Sequence, residues 1–500
     1  MGKDALKPKL EAGTHRVTWT LSKPPELSTW EVSGEAELLG LRLPRGLVFG
    51  TAPTNWTTDE ATGQSQAGWP QHFDYPLIYG EMNGGLDILL LDAHLTVYGE
   101  KPRTGIMNFS DANAYFDTWV ALVGSGAPSQ TEPLLVDSGV IQVPHLEAFA
   151  GKSPISEKRF SFDELYAQEK PEYAATINKE SRQTWQDASA KVTLYYQLSM
   201  DLGGWYSFGI AASPVVYVEL TTPVPLSEFL TQWAWPLREL VAAATGKRLD
   251  INYLTCSLVI DGDTRPLELR QFQVFHPSVS QRPYTSDNTL RNKDISAIRI
   301  SEGESLLALL RQWQALIASE NPILNTYDMN AVEPTQHPRS RFLLLLQALE
   351  GLHGYEYRDE IDERQAKHTG LREPILSRCK SALAELPDDF KFLRKLLPKK
   401  PPEASDRAIR KMLEMLPINL EPELGESALV RSVRSDNETV NTTLDAIRTA
   451  RNDLSHGTKA YDRQELAEAA NILERAVRGH LLRLLNASPE AIGRVLSPED

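Results

Sequence analysis

The segment Arg451-Asn452-Asp453-Leu454-Ser455-His456-Gly457 gathers the side chains of this 500-residue sequence best suited to phosphate chemistry. Arginine presents a permanently charged fork of donors to phosphate oxygens. Histidine has an unperturbed pKa that suits proton transfer near neutral pH. Together they could cut RNA without a metal. Spacing alone is not selective, because Arg475/His480 repeats it and Arg270/His276 comes within one residue of it. Arg270 to His276 alternates as a strand does, which sets the two side chains about six rises of 3.3 Å apart. His480 borders a helical stripe of Leu466, Ile472, Leu473, Val477, Leu481 and Leu484, and reads as a core residue. For Arg451 and His456 a plainer reading also stands: an exposed arginine, and a cation favoured by the dipole at a helix C-terminus.

The segment ends a predicted helix over 428–455. Val440, Leu444, Ile447, Ala450 and Leu454 form its apolar stripe. Arg451 borders that stripe, where an unpaired charge is costly, so it needs a partner or a ligand. Five residues of ideal helix turn through about 500°, leaving Arg451 and His456 about 140° apart. Asn452 and His456 stack at i, i+4. A site using both Arg451 and His456 is easier to build where Gly457 stops the helix, or across a two-fold axis joining two copies.

The length predicts more than one domain, each with its own core. The sequence has no run of eighteen apolar residues and no apolar signal region at its start, so a soluble, cytoplasmic protein without membrane partners is expected. Cys256 and Cys379 lie far apart, without His or Cys neighbours at ligand spacing. Reduced thiols follow, with no disulfide framework, no metal and no cofactor. A net charge of −15 suits RNA poorly until it is divided. Of 52 basic and 67 acidic residues, 26 and 27 lie from Arg339 onward, so the acidity belongs to the front. All ten tryptophans lie between Trp19 and Trp313. Both shifts place a boundary near Pro334-Thr335-Gln336-His337-Pro338, giving a front domain over 1–320, a linker over 321–338 and a back domain over 339–500.

The fold class expected is α+β and multidomain. Runs at 14–21, 30–38, 86–97, 116–123, 191–198, 215–220, 251–260 and 267–275 read as strands of a sandwich or barrel-like domain. Helices are predicted at 226–245 and 304–318. Trp56, Trp69, His72, Asp74 and Tyr75 fall in a polar loop region that could bind a carbohydrate or nucleotide. The front has no Gly-rich phosphate loop, zinc pattern or nucleophile elbow, so binding or sensing is favoured there over catalysis. Behind it, helices at 341–352, 375–386, 389–397, 405–416, 428–455 and 463–485 predict an all-α bundle. The first is apolar on most of its circumference, which suits a bundle with a dimer contact.

Arg451-Asn452-x-x-x-His456 on the penultimate helix of a small bundle resembles the active-site motif of HEPN ribonucleases. The Gln347-Ala348-Leu349-Glu350-x-x-His353 turn, behind a strand-rich domain with Gly80-Glu81-Met82-Asn83-Gly84-Gly85 before a Leu-rich strand, is similar to the ApeA-like abortive-infection proteins of bacteria. The resemblance implies a metal-independent endoribonuclease, usually a dimer that juxtaposes two motifs, acting against phage with transfer RNA as a target. Arg451, Asn452 and His456 would be catalytic, with Glu350 or His353 orienting Arg451 or serving only as capping or surface residues. The front domain would sense a phage-derived trigger or restrain the enzyme. Lys391, Arg394, Lys395, Lys399, Lys400, Arg407, Arg410 and Lys411 offer a phosphate-tracking strip, or a solvated helix face. The rival class is a non-catalytic RNA-binding or dimerisation module with a ligand- or protein-binding β-domain. A carbohydrate-binding β-domain with a helical oligomerisation tail is a third reading.

Overall fold

Alternation of apolar and polar residues builds the first part of the molecule. β1 (Gly13–Ser22), β2 (Thr29–Leu38) and β3 (Arg45–Pro53) form an antiparallel meander. A short hairpin of β4 (Thr57–Thr58) and β5 (Ser65–Gln66) precedes β6 (Gln71–Met82), β7 (Leu86–Pro102) and β8 (Phe109–Asp117). β1 pairs with β6, and β3 pairs with β8, so β1-β2-β3-β8-β7-β6 closes into a six-stranded barrel. Inward residues fill it, among them Val17, Trp19, Val48, Ile78, Leu90 and Phe116. Trp19 and Phe116 meet edge to face at 5.6 Å, and the Trp19 indole N–H donates to the Leu47 carbonyl at 2.9 Å. Gly80 makes room for this indole, since a Cβ there would stand 2.7 Å from its ring.

The computed structural model describes residues 6, 8–22, 29–53, 55, 57–58, 65–66, 68–102, 109–127, 134–159, 174–204, 207–259, 270–283, 296–327, 336–399, 401 and 405–497. Along the edge opposite β6, β7 serves two partners. Asp87–Leu91 pairs with β9 (Val120–Gly124), His94–Pro102 pairs with β8, and Asp92 between them takes φ 48°. From β9 the sheet continues through β17 (Gln271–Phe275), β16 (Tyr253–Leu258), β10 (Leu135–Gln142), β15 (Ser207–Pro225), β14 (Ala190–Gly204) and β13 (Gln183–Gln186). β11 (Ile155–Arg159) and β12 (Ala174–Ile177) form a separate pair. α1 (Leu146–Ala150) and α2 (Leu226–Phe229) follow, the latter running through a π turn, Leu230–Ala234, into α3 (Trp235–Thr245).

The expected barrel-like front is therefore present, with differences of detail. The run expected at 116–123 breaks at Thr118–Trp119, where the Thr118 hydroxyl bonds the Leu91 carbonyl and turns the chain out of the barrel. β3, β6 and β10 and the short strands β4, β5, β11, β12 and β13 were not expected, and β8 was expected only at its end. The loop reading of His72, Asp74 and Tyr75 gives way to strand β6, where Tyr75 enters the barrel core and Asp74 faces out to bond His94 at 2.6 Å. Trp56 lies outside the described residues, as do 260 and 267–269 of the last two expected strands.

The chain divides into two compact units, Met1–Val241 with Leu249–Leu310, and Ala242–Arg248 with Arg311–Asp500. The division falls within α4 (Leu306–Ala318), and α5 (Pro322–Thr326) occupies part of the expected linker. The second unit continues as α6 (Pro338–Glu356), α7 (Arg358–Ala382), α8 (Pro387–Leu396), α9 (Ser405–Glu414), α10 (Glu421–Glu426), α11 (Ala428–Asp436), α12 (Thr443–His456), α13 (Arg463–Leu484) and α14 (Pro489–Leu496). Its core joins Phe342, Leu345, Leu346 and Leu349 of α6 to Leu466, Leu473 and Val477 of α13 and Leu444 and Ile447 of α12. The single helix expected over 428–455 is two. Asn437 accepts from the Thr439 N–H at 3.1 Å, and Thr442 caps α12 by accepting from the Asp445 N–H at 3.1 Å. Such local side-chain bonds compete with helix continuation. Most of α7 was missed because it buries only Arg372 and Leu376, leaving little apolar period to read.

Candidate functional site

α12 carries the Arg/His segment to its last residue. Gly457 caps it in the left-handed region at φ 69°, its N–H bonding the Asp453 carbonyl, and the Thr458 N–H joins the same oxygen at 3.0 Å. Asn452 and His456 lie one turn apart, and both are exposed. Arg451 is 36% exposed and bonds Glu350 of α6 at 2.9 Å, a partner that is 22% exposed. The charge at the edge of the apolar stripe thus has its counter-ion. Arg339, near the start of α6, donates to the Leu454 carbonyl and ties α6 to the same turn of α12.

Sequence reasoning missed the brace behind His456. The Asp453 carboxylate accepts from the Tyr461 hydroxyl at 2.6 Å and from the Thr458 hydroxyl at 2.7 Å. Those two bonds hold the Asp453 carboxyl below the usual carboxylate range, while burial and Asp453 push the Tyr461 hydroxyl up. Lys459 bonds Asp436 at 2.6 Å and lies 4.9 Å from the Tyr461 ring centre. An aspartate inside the segment and a tyrosine eight residues on were the legible signal. Of the two α6 candidates, Glu350 reaches Arg451, while His353 is buried and lies against the Tyr357 ring at 5.0 Å.

The other two pairs sit elsewhere. His480 is buried in α13, its Nε2–H donating to the Met412 carbonyl at 2.9 Å, and burial together with Arg483 pushes its pKa down to about 4. His276 follows β17 between Trp119 and Trp235, at 5.6 and 5.7 Å, and burial with Arg238 likewise lowers it to about 4. The basic strip divides over α8, α9 and the chain between them. Arg394, Lys395, Lys399, Arg407 and Arg410 are exposed, and Lys391 bonds Asp388 at 3.2 Å. Lys411 is committed to Glu360 at 3.0 Å and to the Tyr357 ring at 3.3 Å, which makes it a pin between α9 and α7. Lys400 lies outside the described residues.

Among the described residues, no group of three or more His, Cys, Asp and Glu is placed to hold a metal ion. Both thiols are free, and burial raises that of Cys256 to about 12. No described helix is long and apolar enough to cross a membrane.

Residues 57–301, from the β4–β5 hairpin past β17, match the family model described as ApeA N-terminal domain 1. Over these residues the chain is similar to ApeA proteins. No curated protein and no solved structure matches the chain. The ApeA match ends before the helical unit, so the arginine and histidine of α12 are read from their own geometry.

Proposed function

We propose that this ApeA-like protein is an antiphage endoribonuclease of HEPN type, with its active site at the C-terminal end of α12. The observation that carries the reading is Arg451, held by Glu350 at the edge of the bundle core, beside exposed Asn452 and His456 at a glycine-terminated helix end. In the proposed reaction an RNA 2′-oxygen attacks the adjacent phosphorus and the P–O5′ bond breaks. The products are a 2′,3′-cyclic phosphate and a 5′-hydroxyl. His456 takes the 2′-proton, and His456 of the partner subunit in a homodimer returns one to the leaving 5′-oxygen. Arg451 offsets charge that develops on the phosphate, and Asn452 positions a phosphate oxygen. Transfer RNA is the proposed substrate, no metal enters the reaction, and the front unit senses a phage-derived trigger or restrains the enzyme.

The same ion pair supports a second reading. Glu350 already satisfies Arg451, as a non-catalytic RNA-binding or dimerisation module would require. The two separate on one assay: total RNA and purified transfer RNA are incubated in EDTA with wild-type and His456→Ala protein, with and without phage components. Cuts that leave cyclic phosphate ends and vanish in the variant support the nuclease. No cut by either protein under any condition supports the module.

A further inference from the structure

Two exposed surfaces, one on each unit, differ in charge. On the barrel, β3 points Leu47 and Phe49 outward, and in register beyond them stand Tyr115 of β8 and Thr96 and Tyr98 of β7. Phe49 is 51% and Tyr98 47% exposed, and the Tyr98 and Tyr115 rings stack at 6.1 Å. The neighbouring strand β2 presents Glu31, Glu35 and Glu37 on the same side, Glu35 directly across from Leu47. Arg45 on this face is neutralised by Asp117 at 2.9 Å, and Arg16 of β1 stands directly across from Glu35. The face is apolar at its centre and acidic along one edge.

α8 is its counterpart. None of its residues is buried, and Phe392 and Leu396 are 63% and 61% exposed. At about 100° per residue these two fall within about 40° of each other, and Lys391, which is paired with Asp388 at 3.2 Å, lies with Arg394 and Lys395 in an arc of about 100° beside them. Leu386 before the helix and Lys399 after it are also exposed. RNA would account for the cations but leaves Phe392 and Leu396 in water. Each face also opposes a copy of itself, because a two-fold contact sets carboxylate against carboxylate or cation against cation.

We propose that α8 of one copy docks on the β2–β3–β8–β7 face of a second copy, with Phe392 and Leu396 against Leu47, Phe49 and Tyr98 and the cations along Glu31, Glu35 and Glu37. The contact is heterologous, so it builds rings or chains rather than a closed two-fold pair. It also covers Lys391, Arg394 and Lys395, so assembly and RNA compete for them. That consequence alone rests on the nuclease reading.

The test is sedimentation velocity of the full chain without RNA. Wild type associates beyond its 55.9 kDa chain mass, and the association weakens as salt rises from roughly 50 to 500 mM. A Glu31→Lys, Glu35→Lys, Glu37→Lys variant and a Lys391→Glu, Arg394→Glu, Lys395→Glu variant each associate about tenfold more weakly. An equimolar mixture of the two regains the assembly, because each now complements the other. Phe392→Ser with Leu396→Ser, which keeps every charge, also loses it. Circular dichroism melts show whether each variant is folded. A chain that is monomeric at all concentrations overturns the proposal, and so does an assembly that the charge variants retain or their mixture fails to restore.

Discussion

Arg451/His456 and Arg475/His480 share a spacing of five residues, yet they have opposite fates. Arg475 bonds Glu423 and the Leu496 carbonyl, and His480 is sealed in the core between Arg483 and the Met412 carbonyl. His456 is the last residue of its helix and exposed, one turn from exposed Asn452. What separates the pairs is where the helix stops. α13 runs on through Leu484, so its histidine stays among packed side chains, whereas Gly457 ends α12 and leaves His456 at the surface. Residue type supplies chemistry, and termination supplies access.

The strongest way to break this contrast is to delete each histidine. His456→Ala should lower RNA cleavage by about 10³-fold, roughly 4 kcal/mol, with the urea midpoint almost unmoved, since exposed substitutions cost within about 0.5 kcal/mol. His480→Ala should do the reverse, costing about 3 kcal/mol of stability through a cavity and an orphaned carbonyl with cleavage per folded molecule unchanged. Equal effects of the two on cleavage would remove α12 as the site.

Acid titration sharpens the contrast next. The folded pKa of His480 is depressed, so the unfolded chain binds the extra proton. Stability is full above the unfolded histidine value of about 6.5 and falls as pH drops from there toward about 4, by on the order of 3 kcal/mol. His276, likewise lowered to about 4, adds an increment of the same sign. Urea midpoints across this window should slope less in His480→Gln, and an unchanged slope would mean that His480 protonates without unfolding.

Glu350→Ala should cost about 0.5 kcal/mol of stability, as partly exposed ion pairs do, and lower the cleavage rate about tenfold by releasing Arg451. Faster cleavage would recast Glu350 as a restraint. The smallest effect is at Gly457, where alanine must adopt φ 69° and should cost about 1 kcal/mol. A thermal melt within error of wild type would show that the left-handed cap is dispensable.

Much of the fold is legible locally, and its gaps have causes. Leu-rich and β-branched runs mark β7, β14 and β16, but β3 carries Gly46, Gly50 and Pro53, and β6 follows a polar stretch that masks Phe73 and Tyr75. Helix α13 shows its stripe plainly. The break between α11 and α12 does not, because Asn437 and Thr442 act through single hydrogen bonds rather than through periodicity. Within the site, Arg451, Asn452 and His456 are visible as a spacing and Glu350 as a candidate one helix away. The Asp453–Tyr461 brace is invisible as a contact, since nothing in either residue type declares the other.

Composition and pattern by themselves determine a tryptophan-rich, acidic, strand-built front and a helical, nearly neutral back, because burial period and turn residues act within a few positions of the chain. They also determine where α12 must end, since only glycine takes the left-handed cap at little cost. The tertiary structure alone decides that Glu350, 101 residues from Arg451 in sequence, supplies its counter-ion. It also decides which groups enclose His480, the Met412 carbonyl and Arg483, although the stripe it borders already marks it as a core residue. Those outcomes depend on which helices pack together, a property of the whole core and not of any segment.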